Sequence, residues 1–139
     1  MRMPKLKRFI LTTAIIGCAG FLGTIAYNQI RYRGTEDLGD YQASYKPNGF
    51  FHHTRYITAK DGSQRAIETA GLTNLLFDRE IAIDKNADGR AEQIVTIKSN
   101  LRSGRFLTAP EGQMYPRTSS DEPQFARADQ SLARFACRR

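Results

Sequence analysis

Cysteine and histidine are nearly absent from this sequence. The two cysteines are Cys18 and Cys137, and the two histidines are the adjacent pair His52 and His53. Cys18 lies inside an apolar run and Cys137 is third from the end of the chain. Joining them would drag the tail into that run, so a disulfide scaffold and a cysteine zinc site are both excluded, and Cys137 reads as a free thiol. Neighbours on a strand point to opposite faces, so His52 and His53 are not expected to share a metal. No Ser/His/Asp, Cys/His or HExxH arrangement occurs. Asp78 and Glu80 sit two residues apart on one strand face, where a solvated or salt-bridged pair is the ordinary reading. With no sign of a substrate cleft in so small a domain, the chain is not expected to be an enzyme.

Internal repeats are also missing, which excludes a solenoid. The formal net charge is +7, yet no dense Lys/Arg stripe is present. Arg2, Lys5, Lys7 and Arg8 form a short basic region at 1–8 without an acidic residue. From Asn28 onward 17 basic residues face 14 acidic ones. That balance is too mild to predict a nucleic-acid partner.

One long hydrophobic run is present. Phe9 to Tyr27, FILTTAIIGCAGFLGTIAY, is 19 residues without a charge. As a helix it is about 28 Å long, close to the hydrocarbon thickness of a bilayer. A helix apolar on every face has no place in the core of a domain this small. The segment 9–27 is therefore expected to meet a membrane. Four basic residues precede it and two, Arg31 and Arg33, come closely after it, which favours a cytoplasmic N-terminus and an extracytoplasmic C-terminal domain, periplasmic or at the cell surface. Three fates are open for the segment. It is a retained signal anchor, a signal peptide cleaved near Thr24-Ile25-Ala26, or a lipoprotein signal. In the last case Ile15-Ile16-Gly17-Cys18 resembles the bacterial lipobox and Cys18 would be lipidated.

The rest is expected to be a small α+β domain of antiparallel β-hairpins with a C-terminal helix. Residues 28–48 are polar, carry Gly34, Gly39 and Pro47, and read as a linker. Residues 49–108 read as a β-rich unit. In it, Phe50 to Thr69 form a hairpin around Asp61-Gly62, and strands run over Asp78 to Ile83 and Glu92 to Ser99. On the first strand, Phe51, His53, Arg55 and Ile57 share one side and Phe50, His52, Thr54 and Tyr56 the other. Both sides are mixed. Ala70 to Phe77 fits either a helical turn or a strand, Arg102-Ser103-Gly104 turns the chain, and Arg105 to Thr108 fit a short strand. Residues 109–122 hold two prolines and read as a loop. Residues 123–137 read as a helix capped by Asp121 or Glu122, with Phe125, Ala128, Leu132, Phe135 and Ala136 on one face.

Between the two best strands lies Asp84-Lys-Asn86-Ala-Asp88-Gly89-Arg90-Ala-Glu92. Oxygen side chains stand at loop positions 1, 3, 5 and 9, and a glycine at position 6 allows a sharp reversal. The position 7 carbonyl, from Arg90, adds an oxygen. This 84–92 loop resembles the DxDxDGxxD calcium loops of FG-GAP and VCBS-type repeats, thrombospondin type 3 repeats and dockerins. The resemblance covers nine residues and implies Asp84, Asn86, Asp88, Glu92 and the Arg90 carbonyl as Ca²⁺ ligands. Glu92 departs from the usual aspartate. Val95 stands where an EF-hand has its bidentate glutamate and the setting is strand–loop–strand, and both argue against an EF-hand. Lys85 and Arg90 offset part of the attraction for a dication. The expectation is a membrane-anchored, exported, non-enzymatic domain with one structural calcium loop, an envelope or surface interaction protein. The alternatives are an accessory subunit that docks on a protein partner through its single span, and a lipoprotein.

Overall fold

A computed structural model describes residues 5–105, 108–109, 111–118 and 122–136, with side chains from Thr12 onward except at Glu122 and Ala136. Helix α1 runs Lys5–Arg31. Seven strands come next: β1 Gly34–Asp37, β2 Tyr41–Asn48, β3 His52–Ala59, β4 Arg65–Gly71, β5 Arg79–Asp84, β6 Gln93–Ile97 and β7 Gly112–Pro116. A one-turn helix α2, Asn100–Ser103, lies between β6 and β7, and helix α3, Glu122–Ala136, comes last. All seven strands pair antiparallel in chain order as one meander. This confirms the α+β layout with an N-terminal apolar helix and a C-terminal helix.

A meander gives the sheet two distinct ends. The connections 49–51 and 72–78 and the described residues of 98–111 lie at one end, where α1 also enters. The connections 38–40, 60–64 and 85–92 lie at the other. On one face, the register lines up Tyr56, Ile67, Ala82 and Ile94 across β3 to β6. Helix α3 covers this row with Phe125, Ala128 and Leu132, and the tyrosine ring of Tyr56 stacks on Phe135 at 4.5 Å. The 3.6-residue spacing of those α3 positions produces the stripe, and Phe125 and Leu132 are fully buried. So the Thr54/Tyr56 side of β3 faces α3, and the His53/Arg55 side faces away. Both sides are partly covered, which is why neither is purely apolar in sequence.

Three boundaries differ from expectation. Residues 28–48 are not a linker: they hold the end of α1, all of β1 and all of β2. Every β1 side chain is exposed, so it shows no alternation. Pro47 is tolerated because β1 pairs only with Gln42–Tyr45, which leaves β2 as an edge at that point. Residues 109–122 are not a continuous loop, because β7 occupies Gly112–Pro116 and pairs with β6. It too is an edge strand, with only Tyr115 half-buried. The β-rich unit is therefore wider than 49–108, reaching from Gly34 to Pro116.

The expected hairpin is present as β3 and β4, joined by 60–64 with Gly62 at φ +76° and the Asp61 carboxylate accepting from the Ser63 N–H. The chain turns at Gly104, in the left-handed conformation after α2. Ala70–Phe77 resolves into the end of β4 and a turn. Asp121, Cys137, and Phe106 and Leu107 of the expected Arg105–Thr108 strand lie outside the described residues.

Candidate metal loop

The loop is launched by β5 and received by β6. Asp84, the last residue of β5, is fully buried, while Asp88 is exposed and Glu92 half-buried. Glu92 donates its N–H to the Ile83 carbonyl at 2.9 Å, and this closes the loop's base. The loop then folds around its own carboxylates. Asp84 Oδ1 accepts from the Asp88 N–H at 3.2 Å and Asp84 Oδ2 from the Gly89 N–H at 2.9 Å. Asp88 Oδ1 accepts from the Arg90 N–H at 2.8 Å, and Glu92 Oε2 from the Lys85 N–H at 2.6 Å. Asn86 bridges with both ends of its amide, its Oδ1 accepting from the Asp88 N–H and its Nδ2 donating to Asp88 Oδ2. Gly89 takes φ +90°, as expected of the glycine at the reversal. Ala87 also has positive φ, 58°, a conformation that costs a side-chain-bearing residue about 1 kcal/mol or more.

Carboxylate oxygens of Asp84, Asp88 and Glu92 all lie within 4.8 Å of one another. The structure thus brings together three of the expected side chains. Asn86 touches the cluster through Asp88, and Arg90 joins through its N–H. Carboxylate oxygens at this separation suit a hard, oxygen-seeking dication, and each oxygen that accepts one backbone N–H keeps a second lone pair.

Behind the loop stands a clamp with no signature in the sequence. Asp129 of α3 accepts the Ala91 N–H at 2.8 Å and a bidentate pair from Arg117 at 3.1 and 2.9 Å. Arg117 also donates to the Ala91 carbonyl at 3.1 Å, and its guanidinium lies over the Phe125 ring at 5.2 Å. Burial raises the Asp129 pKa, but the Arg117 and Ala91 hydrogen bonds outweigh it and hold the carboxyl below its usual range. These contacts tie α3 to the receiving side of the loop.

The other singled-out residues separate. His52 and His53 do point to opposite faces: His52 meets the Phe77 ring edge-on at 4.7 Å, and His53 stacks on Tyr32 at 3.6 Å. Burial lowers the His53 pKa, and Arg79, His52 and Arg55 add to this against the opposing charge of Glu68. Asp78 accepts from the Ser99 N–H and from Arg102, and Glu80 from Gln124. Both carboxylates therefore have structural partners. Glu68, nearly buried, is held between Arg79 at 2.8 Å and Arg55 at 3.5 Å. Cys18 is exposed on α1.

Sequence reasoning missed Asn28. It reads as a polar stop after the apolar run, yet it is fully buried. Its Nδ2 donates to the carbonyls of Phe50 at 3.1 Å and His52 at 2.9 Å, with Gly49 at 3.4 Å. An amide directly after an uncharged helix was the available signal.

Helix α1 contains one stretch, Thr12–Arg31, long and apolar enough to cross a membrane. No protein-family model, curated protein or solved structure matches the chain.

Proposed function

We propose that this chain is a membrane-tethered, exported, non-enzymatic domain whose sheet is stabilised by one calcium ion in the 84–92 loop, serving as an interaction protein of an envelope or cell surface. Its N-terminus is cytoplasmic and its sheet extracytoplasmic, on the balance of basic residues around the run. The observation that supports the reading best is the convergence of Asp84, Asp88 and Glu92 at one strand–loop–strand turn. Three carboxylates held this close repel one another, and a dication relieves that repulsion. Asp84, Asp88 and Glu92 would hold the ion, with Asn86 and the Arg90 carbonyl completing the oxygens. The ion's role is structural, because both loop ends are strands of the sheet.

The test is heat unfolding of the full chain in detergent micelles, in calcium and in chelator. Sites of the weak extracellular class bind at about 0.1–1 mM. Calcium at about ten times such a Kd adds about 1.4 kcal/mol, or roughly 6 °C for a domain of this size. Asp84→Ala plus Asp88→Ala should melt in calcium no higher than it does in chelator. A wild-type melting curve indifferent to calcium defeats the reading.

A further inference from the structure

At the end of the sheet where α1 enters, three connections carry large apolar side chains into solvent. Phe50 is 63% exposed, Leu75 45%, Leu76 55% and Leu101 56%. The connections form one platform. The Leu72 N–H donates to the Phe51 carbonyl, the Asn100 N–H to the Asn74 carbonyl and the Leu101 N–H to the Leu75 carbonyl, all within 3.1 Å. Phe51 and Phe77 stack beneath it at 6.3 Å. The opposite end of the sheet is mainly polar, presenting Asp40, Lys60, Asp61, Ser63, Lys85 and Asp88, with Leu38 37% and Tyr41 40% exposed beside them. Exposed apolar groups gathered on one end of a sheet mark a contact surface.

The position of α1 identifies what that surface meets. Phe51 packs edge-on against Phe21 of α1 at 5.4 Å between ring centroids. The buried amide of Asn28 fixes the helix to the 49–52 backbone one and a half to two turns further on. At 1.5 Å per residue, Phe21 lies about 9 Å inside the outer end of the uncharged run, which closes at Tyr27. If that run fills the hydrocarbon core, a side chain in contact with Phe21 cannot lie wholly in water. Exposed basic residues occur at the same end: Arg31 closes α1, Lys98 precedes α2, and Arg102 lies on it. Their stems can lie along apolar surface with the charges at headgroup level.

We propose that this end of the sheet is a lipid-binding tip. Phe50, Leu75, Leu76 and Leu101 seat about 5–10 Å into the outer headgroup and acyl boundary, the depth usual for interfacial elements. The domain then stands upright on its own membrane with the 84–92 loop at the far end. This rests on α1 spanning the bilayer, as proposed above.

The chain contains no tryptophan, so one introduced indole reports without background. Four single variants of the full chain, reconstituted in phosphatidylcholine–phosphatidylglycerol vesicles, separate the possibilities: Ile16→Trp on α1, Phe50→Trp and Leu76→Trp on the tip, and Ser63→Trp on the distant turn. All four positions are exposed, so the fold should accept them. Lipid brominated near the headgroup end of its chains should quench Phe50→Trp and Leu76→Trp by roughly half, given a seating depth of 5–10 Å. Lipid brominated deeper should quench Ile16→Trp, and neither lipid should affect Ser63→Trp. If Ile16→Trp is quenched while both tip reporters match Ser63→Trp, the tip proposal falls and the span stands. A blue-shifted but unquenched tip indicates a protein neighbour and also overturns it. If Ser63→Trp is quenched as strongly as the tip, the domain lies flat and the upright seating is wrong. If none is quenched, the span reading itself fails and takes the tip with it.

Discussion

Asp129→Ala should remove more stability than a half-exposed ion pair normally carries. The carboxylate serves donors on two residues, and its loss leaves them in different states. Ala91 is fully buried, so its N–H is stranded without the Oδ1 at 2.8 Å. An unpaired buried donor costs about 1–3 kcal/mol. Arg117 and Asp129 are 19% and 24% exposed at their side chains. Arg117 can therefore turn partly to water, and its loss belongs at the low end of the range for charge-assisted bonds, about 1.5 kcal/mol. The two contributions give about 3 kcal/mol, or roughly 12 °C in melting temperature. Asp129→Asn keeps an acceptor for Ala91 but loses the charge, and should cost about half as much. Thermal unfolding of the full chain in micelles, followed by circular dichroism, measures both.

Acidification adds a second check on the same residue. The Asp129 pKa is lower in the folded chain than the unfolded value of about 3.9. Its contribution is therefore complete above that value and lost as pH falls through the folded pKa. The gap between wild type and Asp129→Ala should be constant above about pH 5 and narrow below about pH 4. A variant within about 1 °C of wild type, or a gap that widens on acidification, would refute the account of the clamp.

Three further outcomes test other parts of the molecule. Leu132→Ala empties a fully buried site against the sheet and should cost about 2–5 kcal/mol, measured by the same melts. Gly71→Ala would drive its Cβ into the Phe77 side chain, so Phe77 must be displaced; a loss of about 1–3 kcal/mol is expected, with a change in the aromatic signals of Phe51 and Phe77 by NMR. Burial lowers the His53 pKa below the unfolded value of about 6.5; stability should be full above that value and fall as pH drops toward the folded pKa, and His53→Phe, which keeps a ring against Tyr32, should flatten the slope between pH 7.5 and 5.5.

The elements legible in the sequence were those whose pattern is local. The uncharged run predicted α1, and Phe125, Ala128 and Leu132 predicted the buried stripe of α3. Asp61-Gly62 placed a hairpin, and alternate oxygens from Asp84 to Glu92 brought three carboxylates together. The misread elements depend on non-local pairing. Strand β1 shows no alternation because it has no covered face, and β2 carries a proline that is acceptable only where its neighbour has ended. Strand β7 follows Pro110 and ends on Pro116, two prolines expected to break it. The Asp129–Arg117–Ala91 clamp joins three segments separated by 12 to 38 positions, and no spacing rule reaches across them.

Asn28 links the two halves of the molecule. An amide immediately beyond an apolar run usually marks where a helix leaves lipid for water. Here it is buried instead and binds the backbone of the β2–β3 connection. Shortly after α1 ends, β1 begins and pairs with β2. Helix α1 is therefore attached to the sheet by its amide, by the Phe21–Phe51 contact below it and by the Tyr32–His53 stack above it. Attachments at Phe21 and Asn28 of the helix and at Tyr32 just after it leave little freedom for a swivelling tether. A bilayer that fixes the tilt of α1 therefore fixes the tilt of the sheet. If α1 spans a bilayer as proposed, the direction in which the 84–92 loop faces is set by that membrane and requires no partner to set it.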